Sequence, residues 1–155
     1  MDKIDPLNKV AEFHRTFGAP ILESPQIPSK ERCELRISLL QEELNELKQA
    51  IEDRDITEVA DALCDLQYVL SGAVLEFGLG EKFGQLFDEV QRSNMTKACC
   101  SEEEAQETVV FYLEKGEDSY FEKSGDKYNV HRKSDNKVLK NKNYSAADLK
   151  TILGN

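Results

Sequence analysis

Histidine and cysteine are scarce in this sequence, and their spacing disfavours a zinc site. The chain of 155 residues contains four cysteines and two histidines. The cysteines form no Cys-x-x-Cys pair, and none has a histidine at metal-ligand spacing. Unpaired thiols instead fit a reducing, cytosolic compartment. Cys33 and Cys64 lie within helical patterns, where we expect them to be small core residues.

The chain also lacks a long apolar run and an excess of basic residues. No stretch is long enough to cross a bilayer, and the first residues, Met-Asp-Lys-Ile-Asp-Pro, lack the hydrophobic core of a signal peptide. With 20 basic and 30 acidic side chains, the net charge of −10 disfavours binding to long nucleic acid or to an anionic membrane. We therefore expect a cytoplasmic protein, and this charge does not exclude a small anion that a metal ion bridges to carboxylates.

Hydrophobic periodicity predicts four helices in the first two thirds of the chain. Asp5 and Pro6 open the first, Ser29 caps the second, and Gly18 and Gly78 end the first and the third. The four helices are expected at about residues 6–17, 30–54, 57–77 and 81–94. Their loops are short, so consecutive helices are expected to lie antiparallel in a bundle.

The character of the sequence changes beyond Cys100. Ser101 and Glu104 form a capping box for a short helix, two strands at about 119–122 and 127–132 form a hairpin, and Ser145 caps a last helix. Residues 127–142 carry six cations and one acid. This segment could complement a cluster of carboxylates directly, could cover it only when an anionic ligand is present, or could be a solvated strand surface. We predict a mainly α protein, with a four-helix bundle core over residues 1–98 and a small α+β extension over residues 99–155.

Two groups of acids lie on the second and third predicted helices. The first contains Glu42, Glu43 and Glu46, the second contains Glu58, Asp61 and Asp65, and neither contains a histidine. Side chains three or four residues apart are neighbours on a helix, so each group shares one face. Residues 55–81 contain six acids and no lysine or arginine. Antiparallel packing would bring the two groups face to face.

Neighbouring apolar positions suggest that five of these acids are partly buried: Glu43, Glu46, Glu58, Asp61 and Asp65. Burying several carboxylates costs several kcal/mol per ion unless protons, cations or a metal compensate them. Oxygen ligands suit a hard cation such as Mg²⁺ or Mn²⁺. The alternative is that they are ordinary solvated helix acids. A di-iron bundle is disfavoured, because neither group contains a Glu-x-x-His pair.

Four blocks of the sequence resemble one family. Residues 41–47 with Glu-Glu-x-x-Glu, and residues 58–61 with Glu-x-x-Asp, resemble the acid motifs of the all-α nucleoside triphosphate pyrophosphohydrolases. This MazG-like superfamily includes MazG, dimeric dUTPases and phosphoribosyl-ATP pyrophosphatase. The runs VADALCDLQYV at 59–69 and QRSNMTK at 91–97 are similar to those of short bacterial and phage MazG-like proteins. The resemblance touches most of the chain but does not cover about residues 99–125.

The resemblance implies roles for the acids and for other residues. Glu43, Glu46, Glu58 and Asp61 match the magnesium ligands, and Glu42 matches an acid that in some members holds a second metal or orients the attacking water. Asp65 lies one turn from Asp61, where a second-metal or supporting role fits. Asn94 and Lys97 match positions that meet the substrate phosphates. Lys137, Lys140 and Tyr144 match a lid or a base-contacting tail. His14 fits a substrate contact or a packed histidine equally, and Arg36 could pair with the first acids.

The activity implied by the resemblance is Mg²⁺-dependent cleavage of a nucleoside or deoxynucleoside triphosphate between the α and β phosphates. The products would be the monophosphate and pyrophosphate. One alternative keeps this chemistry and acts on phosphoribosyl-ATP in histidine biosynthesis. Another is a non-catalytic helical module whose acids bind basic partners. The family commonly packs subunits together, so we expect a homodimer or a higher homo-oligomer.

Overall fold

The computed structural model describes residues 4–154 and is mainly helical. The elements are α1 (Pro6–Phe17), α2 (Lys30–Asp53), α3 (Ile56–Glu76), α4 (Phe83–Met95), α5 (Glu102–Leu113), β1 (Ser119–Ser124), β2 (Lys127–Arg132) and α6 (Leu149–Leu153). This arrangement confirms the predicted fold class, a mainly α protein with a small hairpin and a short terminal helix. Met1, Asp2, Lys3 and Asn155, at the ends of the two predicted domains, lie outside the described residues.

The chain forms two compact units, of which the first ends at Phe83 and the second begins at Gly84. In the first unit α2 packs along α3, and α1 packs on α3. In the second unit α5 packs against both strands of the hairpin. The predicted division between residues 98 and 99 stays a prediction. No described helix has the length and apolar character needed to span a membrane.

The first unit has a small apolar core and leaves many large apolar side chains exposed. Val10, Ala11 and Leu75 are buried together, with Ile21 packed against them. The apolar side chains of α2, in contrast, are only partly covered. Large apolar side chains that are at least 43% exposed recur on both long helices: Ile37, Leu44 and Ile51 on α2, and Ile56, Leu63 and Leu70 on α3.

In the second unit the core lies between α5 and the hairpin. Cys99, Ala105, Val130 and Leu139 are buried there, with partly buried aromatic side chains around them. The strands pair antiparallel, with Ser119 opposite Arg132. Bridges from Cys99 to Tyr128 and from His131 to Val138 cover the other edge of β2.

The cysteine positions differ from the prediction. Cys99 is the buried core cysteine, while Cys33 is half-buried and Cys64 is exposed. The prediction for Cys64 was therefore wrong. Periodicity alone cannot tell which side of α3 the neighbouring helices cover.

The last helix begins later than predicted, because Ser145 is held by α4. The Ser145 N–H donates to Thr96 Oγ1 at 3.0 Å, and Arg92 donates to Ser145 Oγ at 3.1 Å. The cap is Asp148, whose carboxylate accepts from the Thr151 N–H. A tertiary contact thus displaces the start of the helix by several residues.

Gly78 supports a close approach of two backbone segments. Its φ is +67°, and a β-carbon there would lie 1.9 Å from the Ser24 carbonyl oxygen. Gly18 has a similar φ of +71°, but its surroundings are open. Both glycines therefore have a left-handed backbone conformation, but only Gly78 lacks the space for a side chain.

We expect Gly78→Ala to destabilise the protein more than Gly18→Ala. The left-handed backbone alone costs about 1–2 kcal/mol with a β-carbon, and at position 78 the clash with Ser24 adds to it. Urea unfolding followed by circular dichroism measures both changes. Equal losses of unfolding free energy would contradict the importance of the Ser24 contact.

Candidate active site

The contact between α2 and α3 is a seam that repeats every seven residues. Arg36, Glu43 and Ala50 recur at this interval on α2, and seven residues span about two helical turns. On α3, Asp65 and Gly72 recur at the same interval. A β-carbon on Gly72 would lie 2.6 Å from a terminal nitrogen of Arg36, so these two residues are at the same level of the seam.

The acids of both helices meet around Glu43. Burial, followed by the nearby carboxylates of Glu46, Asp65, Glu42 and Asp61, raises the pKa of Glu43. Two of these neighbours belong to α2 and two to α3. The predicted convergence of the two acid groups is therefore present at this level of the seam.

Glu46 and Glu58 line one cavity near the turn between the two helices. The cavity has a volume of about 260 Å³, and its other lining residues are Gln49, Ala50, Asp53 and Asp55. The Asp55 carboxylate accepts from the backbone N–H groups of Thr57 and Glu58. This cap fixes the start of α3 and with it the backbone position of Glu58.

The burial of the acids differs from one side chain to the next. Glu43 and Asp65 are half-buried, as predicted. Glu46, Glu58 and Asp61 are exposed, so the prediction of partial burial was wrong for these three acids, and Glu42 is exposed as well. Within residues 4–154, no three or more His, Cys, Asp or Glu side chains are grouped so that they could hold a metal ion. The donor set nevertheless consists of carboxylate oxygens, whose chemistry fits a hard cation.

Arg36 pairs with a buried acid at the other end of the seam, not with the first acid group. Glu76 is 1% exposed and accepts hydrogen bonds from both Arg36 and Arg32, with Arg32 Nε at 2.9 Å. Burial disfavours ionised Glu76, but the two arginines outweigh it and lower the pKa of its carboxyl group. Sequence reasoning missed this acid, although Arg32 and Arg36 stand one turn apart on α2.

His14 is a packed side chain of α1. It is 2% exposed, and its Nδ1 donates to the Pro20 carbonyl oxygen at 2.8 Å. A β-carbon on Gly72 would lie 3.1 Å from its Nε2. Of the two roles left open for His14, the described contacts favour the packed one.

In the second unit, the predicted phosphate contacts lie beside part of the predicted tail. Lys97 Nζ donates to Asn94 Oδ1 at 2.8 Å, at the end of α4. The hydroxyl groups of Ser93 and Tyr144 are hydrogen-bonded at 2.7 Å. Lys140 Nζ lies 4.3 Å from the centre of the Tyr144 ring. Four of the five residues predicted here thus share one region.

Lys137, the fifth residue, is exposed in the turn after β2. Its backbone N–H donates to the Asp135 carboxylate at 3.1 Å. The contacts that join the tail to α4 do not include it. Its predicted role as a lid residue stays a prediction.

An ion pair on α4 anchors the tail, and sequence reasoning missed it. Arg92 donates to both carboxylate oxygens of Glu89 and to the Ala146 carbonyl oxygen. The hydrogen bonds from Arg92 and from the Asp148 N–H lower the pKa of Glu89 to about 2. The pair is i,i+3 within one helix, but its partners lie more than 50 residues away in the sequence.

We expect Glu43→Gln to stabilise the metal-free protein at neutral pH. Because the pKa of Glu43 is raised, the folded state holds this proton more tightly than the unfolded chain does. The wild type therefore loses stability as pH rises above the ordinary value of 4.5 and through the raised pKa. The amide avoids this loss.

Urea unfolding in EDTA at pH 4 and pH 7 measures the effect. The variant should gain stability over the wild type at pH 7 and much less at pH 4. Glu34→Gln, which changes an exposed acid of α2, is the control and should show no comparable pH dependence. A variant that is no more stable than the wild type at pH 7 would contradict the like-charge contact.

Comparison with known proteins identifies the family. A family model described as phosphoribosyl-ATP pyrophosphohydrolase matches residues 10–94, which include the acids of both helices. An uncharacterized protein of Acanthamoeba polyphaga mimivirus is 33% identical over 92 residues, which are 54% of this chain and 32% of that protein. The chain therefore spans about a third of the length of this relative.

The matched segment contains about two thirds of α1, the whole of α2 and α3, and all of α4 except its last residue. Membership supports a pyrophosphohydrolase, which is a hydrolase that acts on acid anhydrides. The chain belongs to the phosphoribosyl-ATP pyrophosphohydrolase family, within the MazG-like all-α superfamily of nucleoside triphosphate pyrophosphatases.

Proposed function

We propose that this protein is a Mg²⁺-dependent nucleotide pyrophosphohydrolase that cleaves a nucleoside or deoxynucleoside triphosphate between the α and β phosphates. The observation that carries the proposal is the meeting of acids from α2 and α3 around Glu43, within the segment that the family matches. Such a concentration of like charge is unfavourable by itself and becomes favourable when a cation binds.

The metal would be held by Glu43, Glu46, Glu58 and Asp61, with Asp65 as a supporting or second-metal acid. These side chains offer hard oxygen donors, which fit Mg²⁺ or Mn²⁺. When bound, the cation supplies charge compensation for the triphosphate and makes a coordinated water more acidic. Asp65 is half-buried beside Glu43, so its charge strengthens the attraction of the seam for a cation.

Glu42 is our candidate for the general base. It is exposed on α2, next in sequence to Glu43, and its carboxylate contributes to the raised pKa of Glu43. An exposed carboxylate can accept a proton from a water that attacks the α phosphorus. The phosphorus–oxygen bond to the β phosphate then breaks, and pyrophosphate leaves.

Asn94 and Lys97 would hold the departing pyrophosphate. The Asn94 amide offers N–H donors, and the Lys97 ammonium offers a positive charge that is already oriented by its bond to Asn94 Oδ1. Tyr144 and Lys140 lie beside them and would contact the nucleoside part, with Lys137 as a further cation of the tail. His14 would then support the fold by packing and would not contact the substrate.

Phosphoribosyl-ATP is the second candidate substrate, favoured by the description of the matching family. It offers the same bond between α and β phosphates, so the acids would act in the same way. A panel of canonical and damaged nucleoside triphosphates, assayed beside phosphoribosyl-ATP for pyrophosphate release, separates the two. Turnover of phosphoribosyl-ATP alone would replace the proposed substrate and keep the chemistry.

We expect Glu46→Gln and Asp61→Asn each to abolish Mg²⁺-dependent pyrophosphate release, because each removes a charged ligand while preserving the side-chain shape. Circular dichroism should show an unchanged helical fold. Glu52→Gln is the matched control, because Glu52 is an exposed acid of α2 that pairs with Lys48. It should keep wild-type turnover.

Full activity in either ligand variant would reject the assignment of that acid. A non-catalytic helical module predicts a different pattern. It would release no pyrophosphate and would show no thermal stabilisation by Mg²⁺, whereas a bound metal stabilises the folded state by mass action.

We further propose that the protein is a homodimer or a higher homo-oligomer. On α2, Ile37, Leu44 and Ile51 are 68%, 50% and 58% exposed, and they recur every seven residues. Ile56, Leu63 and Leu70 repeat this spacing on α3. Regular apolar stripes of this kind are typical of helices that pack against further helices.

Light scattering should give at least twice the chain mass of 17.6 kDa. Leu44→Glu should reduce the measured mass, because it places a charge in the middle of the α2 stripe. Glu34→Lys, a charge change on the same helix outside the stripe, is the control. A monomeric wild type at micromolar concentration would contradict the proposal.

A further inference from the structure

The seam between α2 and α3 ends in a buried group of charged residues that the proposed chemistry does not use. The group consists of Glu76 from α3, Arg32 and Arg36 from α2, and His14 from α1, arranged around Gly72. Glu76, His14 and Arg36 are 1%, 2% and 8% exposed. This charged group therefore joins α1, α2 and α3.

The hydrogen bonds of this group lock α2 to α3 by a carboxylate that two guanidinium groups share. Arg32 Nε donates to Glu76 Oε2 at 2.9 Å, and the terminal nitrogens of Arg32 and Arg36 both donate to Oε1. A planar guanidinium fits a carboxylate only in a narrow range of directions. Sliding α2 along α3 would break these bonds.

Gly72 adds a steric lock at the same place. A β-carbon on residue 72 would lie 2.6 Å from a terminal nitrogen of Arg36 and 3.1 Å from His14 Nε2. Within α3, only a residue without a side chain leaves room for this approach.

The acids lie on the same seam at a fixed distance from this lock. Glu43 follows Arg36 by seven residues and Asp65 precedes Gly72 by seven residues, so both separations are about two helical turns. The level at which Arg36 meets Gly72 therefore determines the level at which Glu43 meets Asp65.

The group is poorly suited to provide stability alone. Arg36, which is buried, and Arg32, which is half-buried, share one acid, and Arg36 Nε is buried without a hydrogen-bond partner among the described residues. Well-packed apolar side chains of similar volume are often at least as stabilising as a buried ion pair. In some proteins a buried polar group of this kind instead fixes the register between helices.

We infer that Arg36, paired with Glu76 and seated on Gly72, is a positioning residue that sets the register of α2 and α3 and thereby holds Glu43 opposite Asp65. This inference rests on the proposed function for its effect on catalysis. Its structural content, a register set by Arg36, Glu76 and Gly72, does not depend on which reaction the acids perform.

The test is the double substitution Arg36→Met with Glu76→Leu in the full-length protein. Both buried charges of the direct pair are removed together, so we expect the urea midpoint to stay close to that of the wild type. Turnover at saturating nucleotide should fall about 100-fold, because small displacements of reacting groups cost about this much. The Mg²⁺ concentration for half-maximal activity should rise. Lys48→Met with Glu52→Leu is the matched control, since it removes an exposed ion pair of α2.

Gly72→Ala provides a second, independent variant. The new β-carbon should displace Arg36 and lower turnover while the helix itself gains propensity. Gly84→Ala on α4 is its control, because a β-carbon there meets nothing within 4 Å. Combining Gly72→Ala with Arg36→Met removes the clash, and its turnover should be no lower than that of Arg36→Met alone.

Wild-type turnover in the stably folded double variant or in Gly72→Ala would overturn the inference, and so would a double variant that does not fold. Crystal structures of the wild type and the double variant keep the two proposals separate. If the wild type releases no pyrophosphate, the proposed function fails, but a changed register in the variant still supports the positioning role. An unchanged register overturns it.

Discussion

The meeting of carboxylates across the α2–α3 seam is the interaction on which the rest of the structure depends. Burial and four nearby carboxylates raise the pKa of Glu43, and no basic side chain contributes to this shift. Two helices that present like charges to each other would separate unless other contacts hold them. The remaining features of the first unit make that arrangement stable.

Those features are small residues along the seam and arginines that lie away from the acids around Glu43. Ala50, Ala62 and Gly72 are buried and allow the helix backbones to approach. Arg32 and Arg36 are found at the opposite end of the seam, where they are bound to Glu76. The cations therefore do not neutralise the acids near Glu43, and this leaves those acids available to a metal ion. The same packing leaves the apolar stripes of both helices exposed, which is the basis of the proposed association.

The second unit fixes a different set of side chains. The Glu89–Arg92 pair, together with Ser93 and Thr96, binds residues 144–148 to α4. This network keeps Tyr144 beside the helix end that carries Asn94 and Lys97. Candidate substrate contacts from distant parts of the sequence are thus held by hydrogen bonds in one region. Because the tail is already held, it would lose less conformational entropy on binding a ligand than a flexible tail would.

The sequence by itself determined the helices, most of their ends and the acids of the candidate site. Those features depend on local signals: caps at Asp5, Ser29 and Asp55, a seven-residue recurrence of small and charged residues, and motifs that identify the family. Local periodicity also predicted that acids of α2 and α3 would face each other, because a short turn allows little else.

Only the tertiary structure decided which side of each helix is covered. Periodicity shows that Ile37, Leu44 and Cys64 lie on helices, but burial depends on where the neighbouring helix packs, and all three positions are exposed. The partner of Arg36 is Glu76, 40 residues away, and Ser145 is drawn to α4 instead of capping a helix. These choices are made by long-range contacts, whose geometry a single sequence does not contain.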